Sequence, residues 1–256
     1  MVLTTYDILN GAWKATSKIL FGEELGELRE FDSYFRNAAI GKTATSLFSG
    51  LPVWVASEQY SDKAKFFDYS NELDQYNRLI SQSIDINNIK DIDSIIQSIG
   101  EKFVYAGNKI LGNSKNIENS DAVVDSTAVL NSSIVEKSKY VAYGYLVRES
   151  ENYFASMSSG QSSHIVRCFY NNTLRRCFEV STSIGSSDCY FSYNLLNCTD
   201  CIFTFNSRAK RYTIANTQLT KDSYSKLKTK LIAEVADELK RKKKFDFSII
   251  EIMDRA

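Results

Sequence analysis

Between Ser114 and about Ser207 the chain keeps a six-residue beat, and that beat constrains the fold more than any other feature. Stepping by six from position 114 gives Ser114, Ser120, Ser126, Ser132, Ser138, Gly144, Ser150, Ser156, Ser162 and Cys168. Serine makes up only 32 of the 256 residues, so eight serines in ten such steps is a pattern and not composition. Midway between them stand Ile117, Val123, Val129, Val135, Val141, Val147, Tyr153 and Ile165. Further on, Cys177, Cys189, Leu195, Cys198 and Cys201 keep to the same three-residue grid. A six-residue period drifts off any helical face within two turns, and β-branched residues and serines are poor helix formers. The alternative is a β-solenoid, in which each short strand stacks on the strand one coil earlier, about 4.8 Å away. Serine and cysteine suit its tight corners, and valine and isoleucine fill its interior. With three hexads to a coil, some sixteen hexads would give roughly five coils and about 25 Å of stack.

The flanks read differently. Residues 5–40 are helical in pattern, with Leu25, Leu28, Phe31 and Phe35 on one face of the clearest piece. Short strands follow at 46–48, 53–56 and 65–69, then loop and short helix over 74–90. A helix over 91–101 carries the stripe Ile92, Ile95, Ile96 and Ile99, and Phe103-Val104-Tyr105 leads into the solenoid. This predicts a mainly β protein: an α+β cap over 1–110 closing the open end of the stack, a β-solenoid over 111–216, and a C-terminal basic amphipathic helix and strand over 217–256. Thr220 caps that last helix, whose apolar stripe is Tyr224, Leu227, Leu231, Ile232, Val235 and Leu239. Phe245 to Met253 has the pattern of a strand, placed either in the N-terminal sheet or against another subunit.

Charge narrows the function classes. The formal net charge is zero, with 31 basic and 31 acidic residues, so any nucleic-acid site must be local. Local basicity exists: Lys240, Arg241, Lys242, Lys243 and Lys244 are consecutive, more than the helix dipole calls for, and Arg208, Lys210 and Arg211 form a basic turn. These eight residues are the candidate RNA-binding set, with Lys226, Lys228 and Lys230 on the helix between them. No run of eighteen apolar residues and no signal-peptide pattern occurs, which points to a soluble, cytoplasmic protein without membrane contact. Five cysteines confined to 168–201 fit buried thiols in a reducing compartment.

Chemistry is sparse. His164 is the only histidine, so any Ser–His or Cys–His arrangement must use it with Ser162, Ser163 or Cys168. Its expected place is a solvent-facing turn. Glu179, Asp188, Asp200, Arg175 and Arg176 could line one coil face, yet no spacing singles them out. Cys198-x-x-Cys201 has metal-ligand spacing, with Cys177 and Cys189 available, but those two are not a compact pair; ladder cysteines are the expectation, and no cofactor is called for. Phosphate loops and dinucleotide fingerprints are absent from the sequence.

The stretches Phe21-Gly22-Glu23-Glu24-Leu25-Gly26-Glu27-Leu28, Phe103-Val104-Tyr105-Ala106-Gly107-Asn108, Ser138-Lys139-Tyr140-Val141-Ala142-Tyr143, Arg148-Glu149-Ser150-Glu151 and Phe203-Thr204-Phe205-Asn206-Ser207-Arg208 resemble an archaeal family of soluble Ser/Cys-ladder β-helix proteins. That resemblance implies a structural role and no reaction. Similar ladder proteins carry a cysteine where this chain has Thr213. The size and the order of cap, solenoid and basic helix are also similar to archaeal ribosome dimerisation factors, which implies a homodimer that binds small ribosomal subunits and blocks their joining. Three readings compete: a non-catalytic, self-associating interaction protein docking on a ribonucleoprotein; a solenoid enzyme acting on a polymer; and a scaffold that polymerises end to end. The basic run favours the first, the shortage of histidines and clustered carboxylates weighs against the second, and helices at both ends weigh against the third.

Overall fold

The computed structural model describes residues 3–255 apart from 58, 84 and 101. Its centre is a parallel β-solenoid of about nine turns, from the strand Ile110–Leu111 to the strand Arg211–Ile214. One coil takes two hexads, not the three expected: Lys139 pairs with Thr127 on one side and with Glu151 on the other, a step of 12 residues. Most strands are four residues long and alternate between two sheets. The stack is therefore longer and thinner than expected, about 40 Å at 4.8 Å per coil.

The three-residue grid has a backbone cause. From Asn116 to Ala215 every third residue takes the left-handed conformation, and the non-glycine ones have φ between +44° and +57°. Each triplet thus contributes one inward side chain, one outward side chain and one left-handed outward residue. Such a backbone is costly for L-residues, and the inward columns offset the cost. Val123, Val129, Val135, Val141, Val147, Ile165 and their neighbours form one continuous buried core. At the corners, Ser126, Ser138, Ser150 and Ser162 each donate an Oγ–H to the carbonyl two residues earlier. Each also accepts the N–H of the residue 12 later. Corner serines therefore satisfy the N–H groups of the next coil and add a second bond to carbonyls that already accept a backbone N–H. Gly144 interrupts the serine column because Tyr153 fills the interior there: a Cβ at 144 would stand 2.8 Å from Val141 Cγ1, 2.9 Å from Val147 Cγ2 and 3.3 Å from Tyr153 Cδ1.

One sheet is covered. Helix α1 (Thr5–Phe21), which opens with a Thr4–Asp7 capping box, runs across the strands Thr127–Leu130, Lys139–Ala142, Glu151–Phe154 and Ser163–Val166. Trp13 sits edge-on to Phe31, Phe35 and Phe154. Leu25, Leu28, Phe31 and Phe35 are all buried, but they lie on an extended segment, a 3-10 turn (Leu28–Phe31) and the short helix α2 (Asp32–Arg36), not on one helix. The first 40 residues therefore cover the side of the solenoid. The end of the stack meets residues 42–107. There β1 (Lys42–Thr45) pairs antiparallel with β2 (Pro52–Val55), and β3 (Lys65–Asp68) pairs parallel with β4 (Val104–Gly107). Trp54 Nε1 donates to Ser133 Oγ (2.9 Å), and the Ala56 N–H to Asp121 Oδ2 (2.9 Å). Helices α3 (Tyr69–Ile80) and α4 (Ile92–Gly100) extend this region. After the last coil, Thr220 Oγ1 accepts the Ser223 N–H and caps α5 (Lys221–Lys242), which returns along the covered side.

The C-terminal segment is not a strand. Phe245 and Phe247 pack on Phe191, and the chain ends in a 3-10 turn (Ile249–Arg255). Phe245, Phe247, Ile249 and Ile252 are thus packed within the chain while Ile250 stays exposed, which weakens the tail as a reason to expect a second subunit. Among the described residues no helix is long and apolar enough to cross a membrane.

Candidate functional site

The candidate basic residues fall into two groups at opposite ends of α5. Lys240 pairs with Glu23. Lys242 pairs with Glu238 (3.2 Å) and Asp246. Lys243 donates to the Leu25 carbonyl and to Glu30 Oε2, both at 3.1 Å, and lies 5.4 Å from the centre of the Phe31 ring. The Glu27 N–H and this ammonium hold the Glu30 carboxyl below its usual pKa. Lys240 and Lys243 thus anchor the end of α5 to the segment after α1, and Lys242 ties it to the C-terminal segment, which leaves Arg241 and Lys244 exposed. Arg208, Lys210 and Arg211 are exposed at the far end of the helix, a length of about 30 Å at 1.5 Å per residue. There Asp200 takes Arg211 (3.4 Å) and Lys228 (3.5 Å). The structure does not bring the two groups together.

His164 occupies a left-handed position beside Asn152, with Asn152 Nδ2 at 3.3 Å from its Nε2. Partial burial lowers its pKa. Arg176 and Asp188 form a two-pronged pair at 2.6 Å and 2.6 Å, one coil apart. All five thiols are free and buried. Cys168, Cys198 and Cys201 act like the serines: each donates to the carbonyl two residues earlier, and each takes the backbone N–H 12 residues on, at Val180, Lys210 and Thr213. Thr213 also donates its hydroxyl to Cys201 Sγ at 3.0 Å. Burial pushes the Cys168 thiol well up, whereas the hydrogen bond from Cys189 brings Cys201 down to about 7. Among the described residues no group of three or more His, Cys, Asp or Glu side chains is arranged to hold a metal ion.

Two features stand out that the basic run had hidden. The first is α4. Ile92, Ile95 and Ile96 are 74%, 40% and 56% exposed, and no residue of that helix is buried. Ile80, Ile86 and Phe103, in the same region, are exposed as well. The stripe was legible in the sequence; that no described residue covers it was not. The second is a cavity of about 410 Å³ between the C-terminal segment and the solenoid, walled in part by Tyr34, Met157, Arg167 and Phe169. Arg167 is 8% exposed and Glu179 fully buried. The Glu179 carboxylate accepts from Arg167 Nε, from Tyr34 Oη (3.3 Å), from Ser248 Oγ (3.0 Å) and from the Ile249 N–H (3.3 Å). Burial opposes the charge on Arg167, but the adjoining carboxylate prevails and its pKa rises. This network ties α2, the solenoid and the C-terminal segment together. The 12-residue spacing of Arg167 and Glu179 is the signal that would have found it.

No family model, curated protein or solved structure matches the chain.

Proposed function

We propose that this is a non-catalytic interaction protein that self-associates through α4. The observation that carries the reading is the isoleucine face of that helix. A nine-residue helix is too short to hold itself together in water, and an exposed apolar stripe of this kind marks an association surface. A second copy is the occupant that fits by charge. Asp91 and Asp93 stand at the start of α4, beside Lys90, and Lys102, which donates to the Gln82 carbonyl, lies just past its end. An antiparallel pair about a two-fold axis would set the acids of one copy beside the lysine of the other. The solenoid then serves as a rigid spacer. No catalytic role is assigned, because among the described residues the one side chain in hydrogen-bond contact with His164 is the Asn152 amide, and the buried carboxylate Glu179 is engaged in structural bonds. Sedimentation velocity of the full chain and of an Ile92→Asp/Ile96→Asp variant tests the reading. A concentration-dependent dimer that the variant abolishes supports it, and a wild-type monomer at hundreds of micromolar refutes it.

Docking on a small ribosomal subunit, with subunit joining blocked, is the second reading, and it rests on the exposed Arg241 and Lys244. With two phosphate contacts the salt slope of co-sedimentation would not exceed about 2 in magnitude. Loss of co-sedimentation in an Arg241→Ser/Lys244→Ser variant would support this reading, and no co-sedimentation at low salt would remove it.

A further inference from the structure

The cavity beside Arg167 is larger than the Arg167–Glu179 clamp needs, and its lining is chemically unsaturated. A guanidinium has five N–H donors. Here Nε goes to Glu179 and Nη1 to the Tyr34 carbonyl at 3.0 Å, while Nη2 makes no hydrogen bond to any described residue. The guanidinium is held in place, with its carbon 4.2 Å from the centre of the Tyr34 ring, so those donors are fixed as well as unused. A buried cationic group that keeps free donors on a cavity wall is suited to a carboxylate, which it meets in the plane of the fork.

The other charges of the cavity decide what accompanies that carboxylate. Glu179 balances Arg167, and Lys242 balances Asp246. Lys244 and Glu251, which also line the cavity, bring one charge of each sign. The lining is therefore neutral overall but carries both signs, which matches a ligand that is itself dipolar. Phe169 and Met157 supply an apolar wall on the solenoid side. We propose that this cavity binds a free α-amino acid with an aromatic or large aliphatic side chain. Its carboxylate sits on Arg167 Nη2 with Lys244 nearby, its ammonium faces Glu251, and its side chain lies against Phe169 and Met157. The volume suits a single amino acid and not a polymer. The C-terminal segment forms one wall, so occupancy also holds that segment to the solenoid.

The site is independent of α4, and calorimetric titration of the full-length protein tests it. L-Phenylalanine, L-leucine and L-methionine are the probes, with L-phenylalanine amide and N-acetyl-L-phenylalanine as ligands lacking one charge each. At least one free amino acid should bind saturably with a Kd of roughly 1 mM or tighter, and the amide and N-acetyl forms at least tenfold more weakly. Glu251→Gln should weaken L-phenylalanine but not N-acetyl-L-phenylalanine. Lys244→Gln should weaken both. These two residues are exposed, so neither variant endangers the fold, and Arg167→Lys, checked by circular dichroism, should abolish binding. Absence of saturable binding for all three amino acids overturns the proposal, as does equal binding of the amide.

Discussion

Replacing Ser138 by alanine removes a corner hydroxyl and nothing else. Ser138 is buried, donates to the Glu136 carbonyl at 2.8 Å, and accepts the Ser150 N–H at 3.1 Å. The Glu136 carbonyl keeps its bond from the Glu149 N–H, so its loss is partial. Among the described residues the Ser150 N–H has no other partner, so it would be stranded in a dry corner. One lost hydrogen bond costs about 1 kcal/mol, and one orphaned buried N–H about 1–3 kcal/mol, for a total of about 2–4 kcal/mol. Cysteine provides the control: at 168 and 198 it already makes both bonds of a corner serine. Ser138→Cys should therefore cost under about 1.5 kcal/mol, as for a near-isosteric exchange. Urea unfolding followed by far-UV circular dichroism reads both, as a shift in midpoint at constant slope. A loss below about 0.5 kcal/mol for the alanine variant, or equal losses for both, would refute the corner-hydroxyl account.

Val135→Asp puts an unpaired carboxylate in the dry interior and should prevent cooperative folding of the solenoid; wild-type melting would contradict the register. Glu179→Ala strands the Arg167 charge and should cost about 3–5 kcal/mol, with hydrogen exchange accelerating first in residues 245–252; unchanged exchange there would contradict the clamp. Because burial lowers the pKa of His164 in the folded chain, its neutral form favours folding. That contribution is complete above its unfolded value of about 6.5 and is lost as pH falls from there to the lower folded value. His164→Gln should therefore flatten the fall in Tm between pH 7 and 5 relative to wild type, and an unchanged profile would contradict the burial argument. All five thiols should resist iodoacetamide in the native protein and react on denaturation; rapid native labelling of any of them would contradict their burial.

The solenoid was legible because its cause is local. Inward side chains recur every third residue, and serine at each corner satisfies groups of its own coil and the next. The number of hexads per coil was not readable from the six-residue beat, since two or three hexads place the same residues inward. A second signal did hold the answer. Arg167 with Glu179, Arg176 with Asp188, Gln161 with Glu149 and Asn194 with Asn206 are complementary pairs 12 residues apart, and each is bonded between adjacent coils. The tail misled because Phe245, Phe247 and Ile249 alternate like a strand; their spacing serves the aromatic cluster around Phe191 and Phe203. The basic run misled because charge density in sequence does not show which carboxylates lie opposite, and Glu23 and Glu30 are more than two hundred residues away.

Self-association through α4 is tested most directly by a single spin label at Gln97→Cys, on the exposed surface of that helix. The native thiols are buried, so only this position should take the label. Packed helices lie 8–10 Å apart, so an antiparallel α4 pair predicts an intermolecular dipolar distance of about 10–25 Å. The Ile92→Asp/Ile96→Asp background should abolish that signal. A dimer whose labels lie beyond about 40 Å, or no dipolar coupling at concentrations where the chain sediments as a dimer, would contradict the account.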